Sequence, residues 1–331
     1  MGKSENIKNK NLLFTFIKSF VVTFILSTSI LIFFIFHYFG GLKISDITRD
    51  IDHLGINKDI DDKYKNNNIV NIAIFGIDSR TNDHAGRSDS IMLLSIDQKH
   101  NKLKLISIAR DSKVYIPLNC GKYGKYDKYD KINHAYAFGK ALLAIKTINK
   151  NFGMNIKDYI TLNFSEMSAI INAIGGVEVG ITENERRDVN QILLSDGYQD
   201  TIAKSGIVML DGNQAMEYSR IRKRDSDNDR MNRQRKIITA IYEKIKAKSY
   251  FEYPGLIKKV IPLVETSLSY GDIINLASIL KNKPILVEKV FPHEYSNAIG
   301  KNSSIDGIWY YEYDLKLATK QLHEFIYEMP Y

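Results

Sequence analysis

Two aspartates, each beside an apolar run, are the first residues in the chain with the type and spacing of a metal site. Asp78 follows one run within the segment GIDSR, and Asp89, eleven residues later, ends the segment GRSD just before the next run. Because α/β sheets place their sites at strand ends, we expect both carboxylates at one edge of a sheet. Hard oxygen ligands suit Mg²⁺, with Mn²⁺ as the alternative ion, and leave coordination positions for substrate phosphates. Turn capping by one aspartate, and pairing of the other with Arg80 or Arg87, would explain the same pattern.

A third apolar run ends in the segment SIARD, which places Arg110 next to Asp111. If this run is a strand of the same sheet, the cation and the anion lie at the edge that carries the two aspartates. A local ion pair between the two neighbours is the alternative explanation of this pattern.

The densest charge lies between residues 220 and 236, where eight cations accompany three aspartates. Arg220 and Arg222 end one predicted helix, and Arg230, Arg233 and Gln234 open the next. A helix N-terminus already favours anions, so arginines placed there call for an anionic ligand. Guanidinium groups bind phosphate through two parallel hydrogen bonds, which lysine cannot do. For Arg220, Arg222 and Arg230 we therefore favour a diphosphate site. A solvated charged face explains the remaining cations.

These charged segments need a scaffold, and the apolar pattern predicts one. Runs rich in β-branched residues predict strands over Ile69–Gly76, Ser90–Asp97, Leu103–Ile108, Val114–Ile116, 285–291 and 307–311. Apolar residues at three- to four-residue spacing predict helices near 135–153, 164–174, 212–221, 230–248, 252–264, 271–281 and 314–328. Strands interleaved with helices predict an α/β fold, an α-β-α sandwich around a central mixed sheet.

An uncharged apolar run from Ser19 to Phe39 follows a basic tip that contains Lys3, Lys8, Lys10 and Lys18. As a helix, this run would reach roughly 30 Å, the thickness of the hydrocarbon core of a bilayer. Its basic flank favours a cytoplasmic N-terminus, which places everything that follows outside the cell. A cleaved signal peptide is the alternative, although the apolar region of such peptides is usually only about 7–15 residues long.

The sequence therefore divides into a cytoplasmic tip over 1–18, a transmembrane signal-anchor over 19–39, a charge-rich stalk over 40–68 and an extracytoplasmic catalytic domain over 69–331. This organisation predicts a single-pass protein of the cell membrane. The single cysteine, Cys120, excludes an intramolecular disulfide, and the sequence contains no Cys/His cluster of the kind that binds zinc. The net charge of +8 lies mainly outside the cell, so nucleic acid is not an expected partner. The expected anionic partners are instead phosphates on lipids, glycans and wall polymers.

In this order, the charged segments resemble the LytR-CpsA-Psr (LCP) family of Gram-positive cell-envelope proteins. The resemblance covers about residues 70 to 248. The matching motifs are GIDSR at Gly76–Arg80, GRSD at Gly86–Asp89, SIARD at Ser107–Asp111, KINHAY at Lys131–Tyr136, AIGGVEV at Ala173–Val179, LDGNQAMEYSRIR at Leu210–Arg222 and DNDRMNRQR at Asp227–Arg235. One departure is Ala109, where the family usually has proline, but this change removes no ligand.

The resemblance implies a phosphotransferase that joins an undecaprenyl-diphosphate-linked glycopolymer to the 6-hydroxyl of a peptidoglycan amino sugar and releases undecaprenyl phosphate. The glycopolymer would be teichoic acid, capsule or another secondary wall polymer. By the same resemblance, Asp78 and Asp89 hold Mg²⁺, and Asp227 orients the arginines, with Arg80 and Arg233 in supporting positions. The residues matched to diphosphate binding are Arg87, Arg110, Arg220, Arg222, Arg230 and Gln234.

Some roles stay open at this point. Phosphoryl transfer depends mostly on positioning and charge neutralisation, to which Arg110 would contribute, and either Asp89 or Asp111 would serve as the base for the entering hydroxyl. The lipid needs an apolar slot, for which the candidates, also typical of an ordinary core, are Ile170, Ile171, Ile174, Ile237 and Ile241. Exposed loops over 119–131 and 182–205 are expected to select the polymer, the first with tyrosines that can stack on sugars.

Three other functions compete with this one. A non-catalytic receptor for polyprenyl-diphosphate lipids would explain the arginines but not the paired aspartates. A diphosphatase would use the same site with water as the acceptor. A transcriptional regulator would need a helix-turn-helix signature, which the sequence lacks, and access to DNA, which the predicted topology denies.

Overall fold

The computed structural model describes residues 23–24, 41, 43–45, 47–64, 67–78, 86–119, 126–221, 227–292, 301–305 and 307–328, with only the backbone described for residues 118–119, 126, 227 and 301–305. The predicted cytoplasmic tip lies outside these residues, as does the predicted anchor apart from Thr23 and Phe24. Within the described ranges, no helix combines the length and the apolarity that crossing a membrane requires.

Strands and helices alternate along most of the described chain. The strands are β1 (Lys43–Ile44), β2 (Ile69–Ile77), β3 (Ser88–Asp97), β4 (Lys102–Ile108), β5 (Lys113–Asn119), β6 (Tyr126–Lys131), β7 (Asp158–Asn163), β8 (Val177–Ile181), β9 (Gly206–Leu210), β10 (Glu265–Thr266), β11 (Ile285–Phe291), β12 (Lys301–Ile305) and β13 (Ile308–Glu312). The helices are α1 (Lys58–Tyr64), α2 (Ile132–Phe152), α3 (Phe164–Ala173), α4 (Glu183–Ser195), α5 (Gly212–Arg220), α6 (Asp227–Lys246), α7 (Tyr253–Val260), α8 (Tyr270–Lys281) and α9 (Leu315–Tyr327). Short 3₁₀ turns, Tyr250–Glu252 and Ile261–Leu263, flank α7.

A mixed sheet organises the fold, with the strand order β1-β10-β7-β2-β3-β4-β11. Strand β2 runs parallel to β7 and antiparallel to β3, β3 runs antiparallel to β4, and β4 runs parallel to β11. The pairs β5–β6, β8–β9 and β12–β13 form separate two-stranded sheets. The α/β fold with a central mixed sheet that the sequence predicts is confirmed.

Helices cover both faces of this sheet because its central strands are apolar on both sides. Ala73, Phe75 and Ile77 of β2 belong to a buried cluster that also contains side chains of α2 and α9. Ile72, directly before Ala73 in sequence, belongs to another cluster with Tyr242 of α6 and side chains of α8. Successive strand residues point to opposite faces, so a continuous apolar run is the pattern expected of a strand buried on both.

A smaller core lies beside the sheet and supports the helices that carry the candidate site. Its buried side chains come from α3, from the paired strands β8 and β9, from α4 and from α5, and Ile237 of α6 joins them. Strand alternation explains the burial pattern of β8, in which Val177, Val179 and Ile181 are buried while Glu178 and Gly180 are exposed.

The segment predicted as a stalk contributes side chains to the main core. Leu54, Ile56 and Tyr64 are at most 3% exposed and pack in the cluster formed with α2 and α9. These residues stand singly among charged neighbours, without the periodicity that would reveal a buried face. Packing of this segment therefore depends on partners distant in sequence.

Two predicted rim loops contain regular structure. Residues 126–131 form β6, which pairs with β5, and residues 183–195 form α4. The loop prediction was wrong for α4 because its apolar stripe is narrow, although its capping box was readable: Thr182 accepts from the Glu185 backbone N–H, and the Glu185 carboxylate accepts from that of Thr182.

Candidate active site

The ends of three neighbouring strands bring the predicted metal and diphosphate residues to one edge of the sheet. The last residue of β2 pairs with the first residue of β3, so Asp78 and Asp89 each lie one position from the same cross-strand pair. Arg110 lies two residues beyond the end of β4, which pairs with β3. Asp78 is exposed and Asp89 is half-buried. Antiparallel pairing of β2, β3 and β4 thus creates the edge that the sequence pattern predicts.

Arg110 links two carboxylates at this edge. Its Nη1 lies 3.0 Å from Oδ1 of Asp89, and its Nε lies 3.4 Å from Oδ2 of Asp111. The other oxygen of Asp111 pairs with Nζ of Lys131 at 2.8 Å, and Nδ2 of Asn133 donates a long hydrogen bond of 3.5 Å to Asp89 Oδ1. The four charged side chains are at most 18% exposed, so water screens their interactions less than at the surface. The local ion pair that the sequence left open is therefore part of a larger network.

The first turns of α6 approach the same edge. Arg230 is 4% exposed, and its Nη2 donates to the backbone oxygen of Asp89 at 3.1 Å. Gln234 lies one turn later on the same helix. Arg233 is also 4% exposed but donates Nη2 to the backbone oxygen of Ile221 at 2.9 Å. Arg233 therefore ties α6 to the end of α5, whereas Arg230 reaches the strand edge.

The last turn of α5 supplies a further cation. Nη1 of Arg220 lies 3.0 and 3.3 Å from the two carboxylate oxygens of Glu217, and its guanidinium carbon lies 5.1 Å from the centre of the Phe164 ring. The Arg220 side chain is 36% exposed. A capping box between Asp211 and Gln214 fixes the start of this helix. An ion pair and a cation–π contact thus hold an arginine that still reaches solvent.

These side chains surround a polar pocket that contains about 860 Å³ of space, part of it open to solvent. Its lining residues are Asp78, Asp89, Phe164, Ile192, Asp196, Glu217, Ser219, Arg220, Arg230 and Gln234. Two carboxylates from adjacent strand ends fit Mg²⁺, which binds one or two protein carboxylates together with waters and substrate phosphates. The donor set at this pocket is therefore compatible with the predicted metal.

The described residues hold another group with metal-ligand chemistry at a different place, made of Asp97, His100 and Glu328. Nζ of Lys104, a residue 1% exposed, lies 3.1 Å from Asp97 Oδ2 and 3.1 Å from Glu328 Oε1. This ammonium group already supplies positive charge to the cluster. The arrangement ties the end of α9 to the sheet.

An apolar slot lies between the sheet and the helices α3, α5 and α6. Its lining residues are Ile74, Phe75, Gly76, Ile77, Ser90, Met92, Leu162, Asn163, Phe164, Met167, Met216, Ser219, Gln234, Ile237 and Ile238. Among the five isoleucines predicted for a lipid slot, Ile237 lines it. Ile171 and Ile174 belong to the smaller core, Ile241 packs against that core, and Ile170 is buried. Helical spacing alone does not distinguish the face of α3 that packs inward from the face that borders the slot.

The slot and the polar pocket adjoin each other. Phe164, Ser219 and Gln234 line both. Phe164 is the first residue of α3, and a capping box fixes its position: Asn163 accepts from the Glu166 backbone N–H, and Glu166 accepts from that of Asn163. The Phe164 ring therefore forms a boundary between apolar slot and charged pocket.

The sequence reasoning missed several side chains that contribute to this site. Lys131 and Asn133 contact the two carboxylates of the Arg110 network, and both lie in the KINHAY motif, which was matched without a role. Phe164 and Glu217 hold Arg220. Their signal was weak because a phenylalanine at a strand–helix junction and a glutamate on an amphipathic helix are both common.

Some predicted site residues are described only in part. Arg87 is exposed, one residue before β3. Arg80 and Arg222 lie outside the described residues, as does the side chain of Asp227, whose backbone begins α6. Their assignments as diphosphate-binding or supporting residues stay predictions.

Comparison with known proteins places most of the described region in one family. A model described as the LytR_cpsA_psr family matches residues 39–326. A relative from Enterococcus faecalis, polyisoprenyl-teichoic acid–peptidoglycan teichoic acid transferase TagU, is 34% identical over 211 residues. That match spans 62% of this chain and 64% of the relative, which is less than two thirds of its length.

A longer match links the chain to the TagU of Oceanobacillus iheyensis, which has the same transferase name. It is 32% identical over 292 residues, covering 85% of this chain and 83% of the relative. Among solved structures, TagT bound to LI-WTA is 26% identical and superposes with a TM-score of 0.62. That superposition covers 78% of this chain and 90% of TagT.

Proposed function

The chain belongs to the LytR-CpsA-Psr family, and we propose that it is a phosphotransferase that joins a polyprenyl-diphosphate-linked anionic glycopolymer to peptidoglycan and releases polyprenyl phosphate. The relatives named as polyisoprenyl-teichoic acid transferases support teichoic acid as the polymer class and a polyisoprenyl carrier, of which undecaprenol is the one we propose. Capsule or another secondary wall polymer linked in the same way would present the same diphosphate to the site.

One observation carries this proposal: an apolar slot adjoins a pocket lined by aspartates and arginines, and the two share lining residues. A polyprenyl diphosphate glycan has the same division, since its apolar prenyl chain ends in an anionic diphosphate that links it to the glycan. With the prenyl chain in the slot, the diphosphate lies at the boundary formed by Phe164. Arg220, Arg230 and Gln234 then surround it, and the glycan extends towards solvent.

The cations of the pocket suit the charge of this substrate at each stage of the transfer. The acceptor sugar oxygen forms a bond to the glycan-linked phosphorus while the bond from that phosphorus to the bridging oxygen breaks, so negative charge grows on the departing lipid phosphate. Arg220 and Arg230 approach from two different helices, so they can bind oxygens on two sides of the diphosphate. Guanidinium donors fixed in advance stabilise such charge without reorganising.

Mg²⁺ is the cofactor we propose, with Asp78 and Asp89 as the residues that would hold it. When bound, the ion would neutralise phosphate charge and fix the orientation of the diphosphate. Arg110 holds Asp89 Oδ1 at 3.0 Å and thereby orients that carboxylate. An exposed Asp78 beside a positioned Asp89 provides one adaptable and one fixed ligand.

The base for the entering sugar hydroxyl is better assigned to Asp89 than to Asp111. Asp111 is buried and is not among the residues lining the polar pocket. Asp89 lines the pocket. We assign Asp111 to positioning Arg110, and through it Asp89.

The proposed setting is the outer face of the cell membrane. The apolar run over residues 19–39 would anchor the chain as a single transmembrane helix, with the basic tip in the cytoplasm. This topology places the site beside the lipid-linked substrate and the peptidoglycan acceptor.

The test is transfer by the full chain in detergent micelles, using a synthetic polyprenyl-diphosphate glycan and peptidoglycan oligomers, with and without Mg²⁺. We expect equimolar release of polyprenyl monophosphate and formation of a glycan–peptidoglycan adduct, both dependent on the metal. The Arg220→Ala variant should lose both products, whereas Arg187→Ala, at an exposed arginine of α4 paired with Glu183, should retain them.

Other outcomes would replace the proposal. Polyprenyl monophosphate released without an adduct, in the presence of a competent acceptor, would identify a diphosphatase. Tight lipid binding with neither product would identify a receptor. Undiminished turnover of the Arg220→Ala variant would remove Arg220 from the diphosphate site.

A further inference from the structure

We propose that one face of the α7 region docks on the surface of an anionic membrane. The docking face consists of Phe251, Pro254, Lys258, Lys259 and Pro262, all exposed. Phe251, Pro254, Lys258 and Pro262 recur at intervals of three to four residues, which places them on one side of a helix, and Lys259 flanks them. This surface lies outside the proposed active site, and the inference rests only on the anchor part of the proposed function.

Phe251 is the strongest sign that this face meets something other than water. Its side chain is 91% exposed, next to Tyr250 at 47%. The opposite side of the same segment is well packed, since Tyr253 and Ile261 are 5% and 6% exposed. The backbone here is therefore fixed by the core, and Phe251 projects from an ordered segment. Exposed aromatic side chains of this kind suit a segment that lies in the interface of a bilayer.

The position of the chain's N-terminal segment identifies a membrane as the partner. A Cβ atom added to Gly41 would lie 2.8 Å from Cγ of Pro262, so the two residues are in contact. The following residues, Lys43 and Ile44, pair with β10, directly after the 3₁₀ turn that follows α7. The predicted transmembrane run ends at Phe39, two residues before Gly41, which is at most about 7 Å of extended chain.

These distances limit how far the docking face can lie from the bilayer. Pro262 is at one end of the face, beside the point where the anchor would leave the membrane. Phe251 is eleven residues away, roughly 17 Å along the helix axis. An anchor of this length and a face of this extent allow α7 to lie along the membrane surface.

The charge of the face suits an anionic surface. Lys258 and Lys259 are both exposed, and Lys43 beside the anchor has a side chain that is 52% exposed. Lys281 lies with Nζ 5.2 Å from the Tyr250 ring. Lysines flanking an exposed aromatic side chain are typical of segments that rest at the headgroup level of anionic bilayers.

Docking would also orient the substrate slot. Helix α7 packs against α3, and Leu256 of α7 packs against the smaller core. Phe164 and Met167 of α3 line the apolar slot. A membrane-bound α7 therefore holds the slot-lining helix close to the layer in which a polyprenyl lipid resides.

Depth-dependent fluorescence quenching tests this inference on the full chain in vesicles. Trp309 is the sole tryptophan, so the Trp309→Phe variant gives a silent background. A Phe251→Trp substitution in that background places a probe on the docking face. A matched Leu142→Trp substitution places one on α2, in the layer across the sheet. Vesicles contain phosphatidylcholine and phosphatidylglycerol, with nitroxide-labelled lipid added for quenching.

We expect the probe at position 251 to emit at shorter wavelength than the probe at 142 and to be quenched at least twofold more by shallow nitroxides. Each lysine near an anionic surface strengthens docking about fivefold. The double change Lys258→Gln and Lys259→Gln should therefore remove most of this quenching. The same change at Lys316 and Lys320 on α9 should not.

Two results would overturn the inference. Equal quenching at positions 251 and 142 would show that α7 does not contact the bilayer. A blue shift at 251 that increases with protein density and ignores nitroxide lipid would show that a second copy covers the face. Co-flotation of the chain with vesicles reports separately on the anchor, and no step of this test requires turnover.

Discussion

Replacement of Arg110 by lysine keeps the positive charge but removes the planar guanidinium group, which contacts two carboxylates at once. The guanidinium of Arg110 contacts Asp89 through Nη1 at 3.0 Å and Asp111 through Nε at 3.4 Å. An ammonium group has a single nitrogen on a flexible chain, so it can satisfy one of these carboxylates at a time. The Arg110→Lys variant therefore separates the effect of charge from the effect of positioning.

The expected loss follows from the contact that lysine cannot make. A hydrogen bond to a charged group contributes about 1.5–3 kcal/mol, a value that suits the 3.0 Å contact with Asp89, whereas the 3.4 Å contact of Nε with Asp111 is an ion pair without a hydrogen bond. At about 1.36 kcal/mol per factor of ten, this corresponds to a roughly 10- to 150-fold lower rate if the contact matters in the transition state. Arg110→Met removes both contacts and the charge, so its loss should reach about 10²- to 10³-fold, the range seen when a preorganised donor is deleted.

The assay is the initial rate of polyprenyl monophosphate release at saturating lipid substrate and metal. Arg187→Lys is the control, because Arg187 is 69% exposed and contacts Glu183 on the surface of α4. Its rate should stay within twofold of the native chain. Thermal unfolding must show that each Arg110 variant remains folded.

The ranking of the variants decides the outcome. If Arg110→Lys retains the native rate, the double contact does not position Asp89, and the role proposed for Asp111 fails with it. If lysine and methionine are equally inactive, geometry alone accounts for the effect. The intermediate result predicted above requires both charge and geometry.

Three further predictions concern the core, the slot and pH. Leu54→Ala should destabilise the protein by about 2–5 kcal/mol because Leu54 is fully buried, whereas Leu142→Ala, at a residue 36% exposed, should cost much less in the same unfolding experiment. Met216→Trp should fill the slot and weaken binding of a polyprenyl diphosphate at least tenfold in titration calorimetry, while the control Met209→Trp, at a residue 53% exposed, should leave affinity unchanged. Burial lowers the pKa of His323 from 6.5 to about 4, so the unfolded chain takes up this proton first as pH falls. The contribution of His323 to the free energy of unfolding is therefore fully present above pH 6.5 and falls by up to about 3 kcal/mol as the pH decreases towards 4. Denaturant titrations of a His323→Asn variant should lack this pH dependence.

The sheet and the charged edge were predictable because their signals are local. A continuous apolar run such as Ile69–Ile77 identifies a buried strand, and charged residues at its end identify a site edge. The motif around Arg230 was equally informative, since arginines at a helix N-terminus indicate an anionic ligand. These features depend on residue type and spacing alone.

What the sequence did not reveal depends on contacts between distant segments. Leu54 and Tyr64 look like parts of a stalk until α2 and α9 are placed against them. Lys131 acquires a role only when β6 ends beside Asp111. The slot was predicted from the apolar residues of α3 and α6, but which of them face it is decided by the sheet that closes its other side.

Helix α3 connects the two parts of the proposed mechanism. Its capping box joins Asn163 to Glu166, and Asn163 is also the last residue of β7, whose parallel neighbour is β2. The start of α3 is therefore fixed to the strand that Asp78 directly follows. Phe164, the first residue of the helix, contacts both the lipid slot and Arg220. Farther along, α3 packs against α7, which carries the docking face. A single rigid connection thus relates the proposed docking face, the apolar slot and the polar pocket, so a change that tilts α3 should alter all three together.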